Sequence, residues 1–332
     1  MTPEKEQEAA LASTLFHTAL IQLGAQTITD TLSLWDDVPP VLNVSNARAT
    51  ERWLAVTVKY VMSRRIRARD MALAYYRYQR ALTTGTTIAL PGQENPPYMT
   101  LPELKREFSL YLNPEDAPTE DPEAPEADES VRIPVEPLDG LEEDLDALEQ
   151  EAEQQVRDNL YVLGPLNQDR KTQGARYVER PEEADAARAE AHSKAGNRQA
   201  AAAERNVMNG ARGPLFLAAS RDKRALGYVR ASRTGTPCGF CAMLISRGVV
   251  YKSEKTAGDQ DLWHDNCHCY AIPVFSLRQY ESNDLFALNR EYQALWNKHI
   301  RGKYSGDKAL SEWRRLIREI AKSRNAQVAQ AA

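Results

Sequence analysis

Apolar residues recur at helical spacing along most of the chain. Leu11, Leu15, Ala19 and Leu23 lie four apart, and Ile28, Leu32 and Trp35 extend the pattern. This predicts a long first helix with those side chains on its inner face. Thr2-Pro3-Glu4 supplies a cap residue, a proline at the first helical position and an early acid. Val38-Pro39-Pro40 ends the helix. A second long helix is predicted from near Ser45 to past Ala81, apolar on one side through Trp53, Val56, Tyr60 and Met71. A loop with Gly85, Pro91-Gly92 and Pro96-Pro97 follows. A short helix is then predicted over 101–112, with Thr100 as cap and Pro102 near its start. Leu141, Leu145 and Leu148 restart the helical spacing. Residues 181–208 are alanine-rich and charged, which again predicts helix, with Gly210 and Gly213-Pro214 ending it and a short helical piece over 215–225.

The texture then changes. Residues 227–232, 248–251 and 270–275 read as short strands, with a turn at Thr234-Gly235-Thr236-Pro237 and a short helix over 242–247. The tail from Asp284 returns to amphipathic helix through Leu288, Tyr292, Leu295 and Trp296. It breaks at 302–306 and resumes through Leu310, Trp313, Leu316 and Ile320. The fold class is therefore mainly α, with a small α+β zinc-stapled module near the C-terminus and an acidic, proline-rich disordered linker in the middle. The divisions are a helical domain over 1–112, the linker over 113–140, a helical segment over 141–226, the module over 227–276 and a helical tail over 277–332.

Composition changes this picture in the middle of the chain. Residues 113–153 hold seventeen Asp/Glu against one basic residue, Arg132. That segment carries about −16, so the rest sums to about +11 (−5 less −16). Six prolines and few large apolar residues over 113–137 predict disorder, because the segment buries too little surface to offset its ordering entropy. No apolar run reaches the ~18 residues of a membrane span, and the acidic start has no signal-peptide core. These features predict a protein made and kept in a reducing cytosol, with no membrane anchor.

The chain has four cysteines, all within one C-terminal stretch. Cys238 and Cys241 form C-x2-C. His264, Cys267 and Cys269 follow as H-x2-C-x-C. Soft thiolate and imidazole ligands at this spacing suit a tetrahedral zinc ion, and a reducing compartment favours metal over disulfide. Five groups compete for four positions, so an all-cysteine site and a three-cysteine, one-histidine site both remain open. His268, between two cysteines, points the other way on an extended backbone. A zinc nucleobase deaminase needs H-x-E upstream of PCxxC; His17 and His192 are not followed by x-Glu. A redox CxxC opens a helix in a βαβ setting, and none is predicted around it. A cysteine protease needs a separate general-base histidine with an orienting partner, and none is identifiable. The site reads as structural, and the chain as no enzyme; P-loop, G-x-S-x-G and HExxH motifs are absent from the sequence.

A second candidate lies in the second helix. Lys59, Arg64, Arg65, Arg67, Arg69, Arg77 and Arg80 are opposed only by Asp70, with Tyr60, Tyr75, Tyr76 and Tyr78 interleaved. Such a helix could contact nucleic-acid phosphates, or be a solvated face with tyrosines half-packed in a bundle.

The run from Tyr228-Val229-Arg230 through Pro237-Cys238-Gly239-Phe240-Cys241, Ser246-Arg247-Gly248-Val249-Val250-Tyr251 and His264-Asp265-Asn266-Cys267-His268-Cys269 resembles the MuF-like minor capsid proteins. These are head morphogenesis proteins of tailed bacteriophages, especially those of actinobacteria. The match covers about 50 residues; His268 stands where the family often has a basic residue. The resemblance implies a structural role in the virion head interior near the portal, with host cytoplasm as the site of assembly. The implied partners are the portal or major capsid protein and packaged double-stranded DNA. No toxin or protease fusion is expected in the helical tail. Two rivals stand beside it: an intracellular zinc-dependent nucleic-acid-binding protein, and a thiol or metal hydrolase.

Overall fold

The computed structural model describes residues 2–41, 47–113, 131–175, 180–232, 237–249, 267 and 269–331. Three long helices form its body: α1 (Pro3–Trp35), α2 (Ala47–Thr84) and α6 (Pro181–Arg221). Each packs against the other two. Thr2 caps α1, its hydroxyl accepting the Lys5 N–H at 3.4 Å. The inner face of α1 differs from the predicted one. Leu11 and Leu15 are exposed, and the buried stripe is Ala9, Ala12, Ser13, Phe16, Leu20, Leu23 and Gly24. Small residues set the choice, because they let α2 and α6 come close. The Ser13 hydroxyl meets the Tyr75 hydroxyl at 2.6 Å, and Phe16 stacks on Tyr75 with centroids 4.4 Å apart. Val56 of α2 is likewise exposed, while Trp53 and Met71 are buried.

After α2 come β1 (Thr87–Ile88), β2 (Tyr98–Met99), α3 (Leu101–Leu112) and β3 (Ile133–Glu136). A full capping box starts α3, with Thr100 and Glu103 satisfying each other's backbone N–H. Strand β3 lies between the other two, parallel to β1 and antiparallel to β2. Residues 133–136 therefore form ordered sheet, where composition predicted linker. Ile133 is buried, and the Val135 N–H donates to the Pro97 carbonyl at 3.1 Å. The rest of the predicted disorder, over 114–130, lies outside the described residues.

Helices α4 (Leu141–Leu163) and α5 (Pro165–Ala175) then lie against α6, with Leu141, Leu145 and Leu148 buried as their spacing requires. Helix α6 does not break at Gly210 or Gly213-Pro214 but runs through them. Proline removes one intrahelical hydrogen bond, and the glycines have a packing role. A Cβ on Gly210 would sit 2.6 Å from the Arg65 carbonyl oxygen, and one on Gly213 would sit 2.8 Å from Leu148 Cδ2. The glycines thus mark where α6 crosses α2 and α4 at close range.

The chain ends with β4 (Gly227–Ala231), α7 (Gly239–Ile245), β5 (Tyr270–Val274), α8 (Leu277–Ser282), a 3-10 turn (Asp284–Phe286), α9 (Ala287–His299) and α10 (Gly306–Ala331). Strands β4 and β5 pair antiparallel, with Val229 opposite Ile272. Both are buried throughout and join the main core. Gly248 and Val249, predicted to start a strand, are in no strand; Val250 and Tyr251 lie outside the described residues. The fold is mainly α, as predicted. No helix among the described residues is long and apolar enough to cross a membrane.

Candidate metal centre

The two cysteine pairs come from the same end of the β4–β5 unit, where Ala231 at the end of β4 pairs with Tyr270 at the start of β5. Cys238 is the N-cap of α7, its sulfur accepting the Cys241 N–H at 3.4 Å. The C-x2-C therefore opens a helix, which starts three residues before the predicted 242–247. The strands around it are antiparallel, so it is not a βαβ setting. Cys267 and Cys269 immediately precede β5.

The sulfurs of Cys241, Cys267 and Cys269 lie within 4.8 Å of one another, and all three residues are buried. Cys241 Sγ and Cys267 Sγ are 3.6 Å apart. Tetrahedral coordination at a Zn–S distance of about 2.3 Å would set sulfurs about 3.8 Å apart, so this trio fits three corners of such a site. Cys238 is exposed at the edge, and no disulfide involves any of the four. His264 and His268 lie outside the described residues.

The electrostatics fit a cation as well. Hydrogen bonds with Cys238, Cys267 and Cys269, together with burial, push the Cys241 thiol up. A hydrogen bond with Cys241 pulls Cys269 down, but Cys267 and burial outweigh it and push it up to about 12. Cys267 is pulled down by hydrogen bonds from Cys241 and Cys269, with the Arg212 charge adding to the effect. The three thiols thus titrate as a group, in which Cys267 is the one most readily deprotonated. A metal ion would allow the others to ionise.

Residues that the spacing could not reveal hold this centre in place. Arg212 of α6 is buried and donates to the Cys269 carbonyl from Nε at 3.2 Å and Nη2 at 2.8 Å. It also donates to the Cys267 carbonyl and, at 3.2 Å, to Asn209 Oδ1. Burial draws its guanidinium down to about 10, which still leaves it charged at neutral pH. Asn289 of α9 donates to the Arg230 carbonyl at 2.8 Å and the Ile245 carbonyl at 3.3 Å, joining α9 to β4 and α7. On the other side, Trp313 of α10 is fully buried, edge-on to Tyr292 and Trp296. The C-terminal helices therefore pack on the cysteine cluster. A cavity of about 430 Å³ opens beside it, lined by Met243, Arg247, Trp296 and Tyr304.

Arg212→Met should leave two buried carbonyls without their donor. Metal affinity is expected to fall about 10–100-fold, the usual effect of losing a group that orients ligands. Competition with a chromophoric chelator would measure it. Unchanged affinity would show that Arg212 only packs.

The basic stretch of α2 does not form one surface. Arg65 is buried, with Nε on Glu149 at 2.9 Å and Nη1 on the Asn206 carbonyl at 2.9 Å. Arg77 is buried against Glu107 at 2.8 Å. Arg80 is buried between Asp222 and Glu136, each at 2.6 Å. Arg64 pairs with Asp30 and Arg69 with Asp70 at the rim. Lys59 is exposed and Arg67 half-buried. Tyr75, Tyr76 and Tyr78 are core residues. Arg65, Arg77 and Arg80 bind acids inside the fold and are not placed to meet phosphates, whereas Lys59, Arg64, Arg67 and Arg69 keep some exposure. Glu107, Glu136, Glu149 and Asp222, distant in sequence, are what the stretch was matched to.

Fold and site together define a mainly helical protein with a thiol cluster that could hold a metal ion. Residues 144–295 match the family model described as VG15 protein, a viral and phage protein family. That range runs from within α4 to within α9 and includes every cysteine. No curated protein and no solved structure matches the chain.

Proposed function

We propose that this chain is a MuF-like minor capsid protein of a tailed phage, acting in head morphogenesis near the portal and the packaged DNA. One observation carries the reading. The segment that matches a phage protein family, 144–295, contains the whole MuF-like run from Tyr228 to Cys269. The direct partner is the portal or the major capsid protein, and the work is structural, without catalysis.

The metal is zinc in this reading. Cys241, Cys267 and Cys269 supply three thiolates, and Cys238 or His264 supplies the fourth ligand. A bound ion would tie α7 to the C-x-C segment, and the C-terminal helices pack on that unit through Tyr292, Ile300 and Trp313. Its role is a staple, since four ligands close the coordination shell.

Quantitative mass spectrometry of purified particles tests the function. The expected result is a few copies per portal. Absence from particles with abundance in infected cells would overturn the minor-capsid reading and leave an assembly factor or an unrelated metal-binding protein.

A further inference from the structure

With Arg65, Arg77 and Arg80 of α2 buried, a run of exposed cations remains in the C-terminal segment from the end of α9 through α10. Residues 298–322 hold eight Lys/Arg against three acids. All eight are exposed: Lys298, Arg301, Lys303, Lys308, Arg314, Arg315, Arg318 and Lys322. In the body of the protein, arginines as far apart as Arg65, Arg80, Arg221 and Arg224 meet acids from other elements. In this segment, Arg315 pairs with Glu312 one turn away, and the other seven form no ion pair among the described residues.

The spacing on α10 is ordered. Ala309, Trp313 and Ile317 are buried and four apart, which fixes the inward face. Lys308, Ser311, Arg315, Arg318 and Lys322 alternate at three and four on the opposite face. Lys308 to Lys322 spans fourteen residues, or about 21 Å at 1.5 Å per residue. A single DNA strand places a phosphate about every 3.4 Å along the duplex axis, so this stripe runs alongside roughly six phosphates. Ser311 adds a hydroxyl donor within the row. Nothing in the stripe reads base edges, which fits binding without sequence preference.

We propose that the outer face of α10 is a binding surface for the phosphate backbone of double-stranded DNA. This rests on the proposed place of the protein beside the packaged genome and assigns that contact to Lys308, Arg315, Arg318 and Lys322. The rigid mount comes from the metal centre: the Arg314 stem, next to the stripe, packs where a Cβ on Gly239 would sit 2.9 Å from its Cγ.

Fluorescence anisotropy with the full chain and a random-sequence 30-base-pair duplex tests the assignment. Four phosphate contacts predict a slope of log K on log salt of about −3.6. Affinity should therefore fall about a hundredfold between 50 and 200 mM salt. The triple variant K308Q/R318Q/K322Q, which removes exposed cations without ion pairs, should reduce the slope by about 2.7. A K59Q/R67Q variant on α2 should change it little. No binding at 50 mM salt, or binding lost only in the α2 variant, would overturn the assignment. So would tight binding to polyglutamate with none to DNA, which would point to an acidic protein partner. None of these outcomes alters the particle measurement, so the capsid reading stands or falls separately.

Discussion

Removing metal from the purified protein is expected to loosen the C-terminal third while leaving the helical body folded. The reason is how the core divides. Cys241, Cys267 and Cys269 belong to a small cluster with Tyr292, Ile300, Ala309, Trp313 and Ile317. The main core runs through α1, α2 and α6 and includes both β4 and β5. Zinc bound only by the native state stabilises it by RT ln(1 + [Zn]/Kd), about 4 kcal/mol at a thousandfold excess over Kd. That gain acts mainly on the small cluster. With EDTA, amide exchange should rise by orders of magnitude in α7, α9 and α10 and stay low in α1, α2 and α6. Cys267→Ser with Cys269→Ser should reproduce the effect and reduce zinc content from about one ion per chain to none. Thiolate ligands must shed protons to bind, so affinity should also weaken as pH falls. Purified protein free of zinc, with equal protection in α9 and α10 with and without EDTA, would eliminate the staple.

The contrast between elements predicted well and those predicted poorly has a physical cause. The bounds of α3 were legible because its signals are local: Thr100, Pro102 and Glu103 act within one turn. That Cys241, Cys267 and Cys269 come together was legible because groups able to share one metal ion are few in type and recur at short, set spacings. The inner face of α1 was not legible. Leu11 and Leu15 are more apolar than Ala12 and Ser13, but close helix approach rewards small size over hydrophobicity. Gly210 and Pro214 are helix breakers by propensity, and packing against Arg65 and Leu148 overrides propensity. Residues 133–136 look like linker because their stabilisation comes from strands more than thirty residues upstream. The α2 arginines illustrate the same limit. A run of cations looks like a surface until the acids that bury it are located, and these are 30 to 142 residues away in sequence.

Asp222→Ala is expected to be among the most destabilising single substitutions in the helical body, costing about 3–5 kcal/mol. Asp222 caps the C-terminus of α6 and is 1% exposed, as is Arg80. Its carboxylate accepts from Arg80 Nε at 2.6 Å, from Arg80 Nη2 at 3.2 Å and from the Tyr76 hydroxyl at 2.9 Å. Arg80 also donates to the Thr87 carbonyl at 2.9 Å and to Glu136, so one guanidinium joins α2, β1, β3 and the end of α6. Losing Asp222 removes the buried one of the two counter-ions that Arg80 meets at 2.6 Å and leaves only the more exposed Glu136, and a half-compensated buried charge costs more than the pair itself contributes. Arg80→Met combined with Asp222→Leu removes both charges. It should therefore cost less than the two single changes added together, a coupling that a double-mutant cycle in urea would resolve. The same core sets the alkaline limit. Burial raises the Tyr75 and Tyr76 phenols above their ordinary value of 10, Asp222 adding to it at Tyr76. A raised native pKa contributes stability that is complete below about pH 10 and declines as pH rises past it, since the unfolded phenols ionise first. Asp222→Ala with a loss below ~1 kcal/mol, or strictly additive single and double variants, would show that solvent reaches Arg80 and that the junction is not sealed.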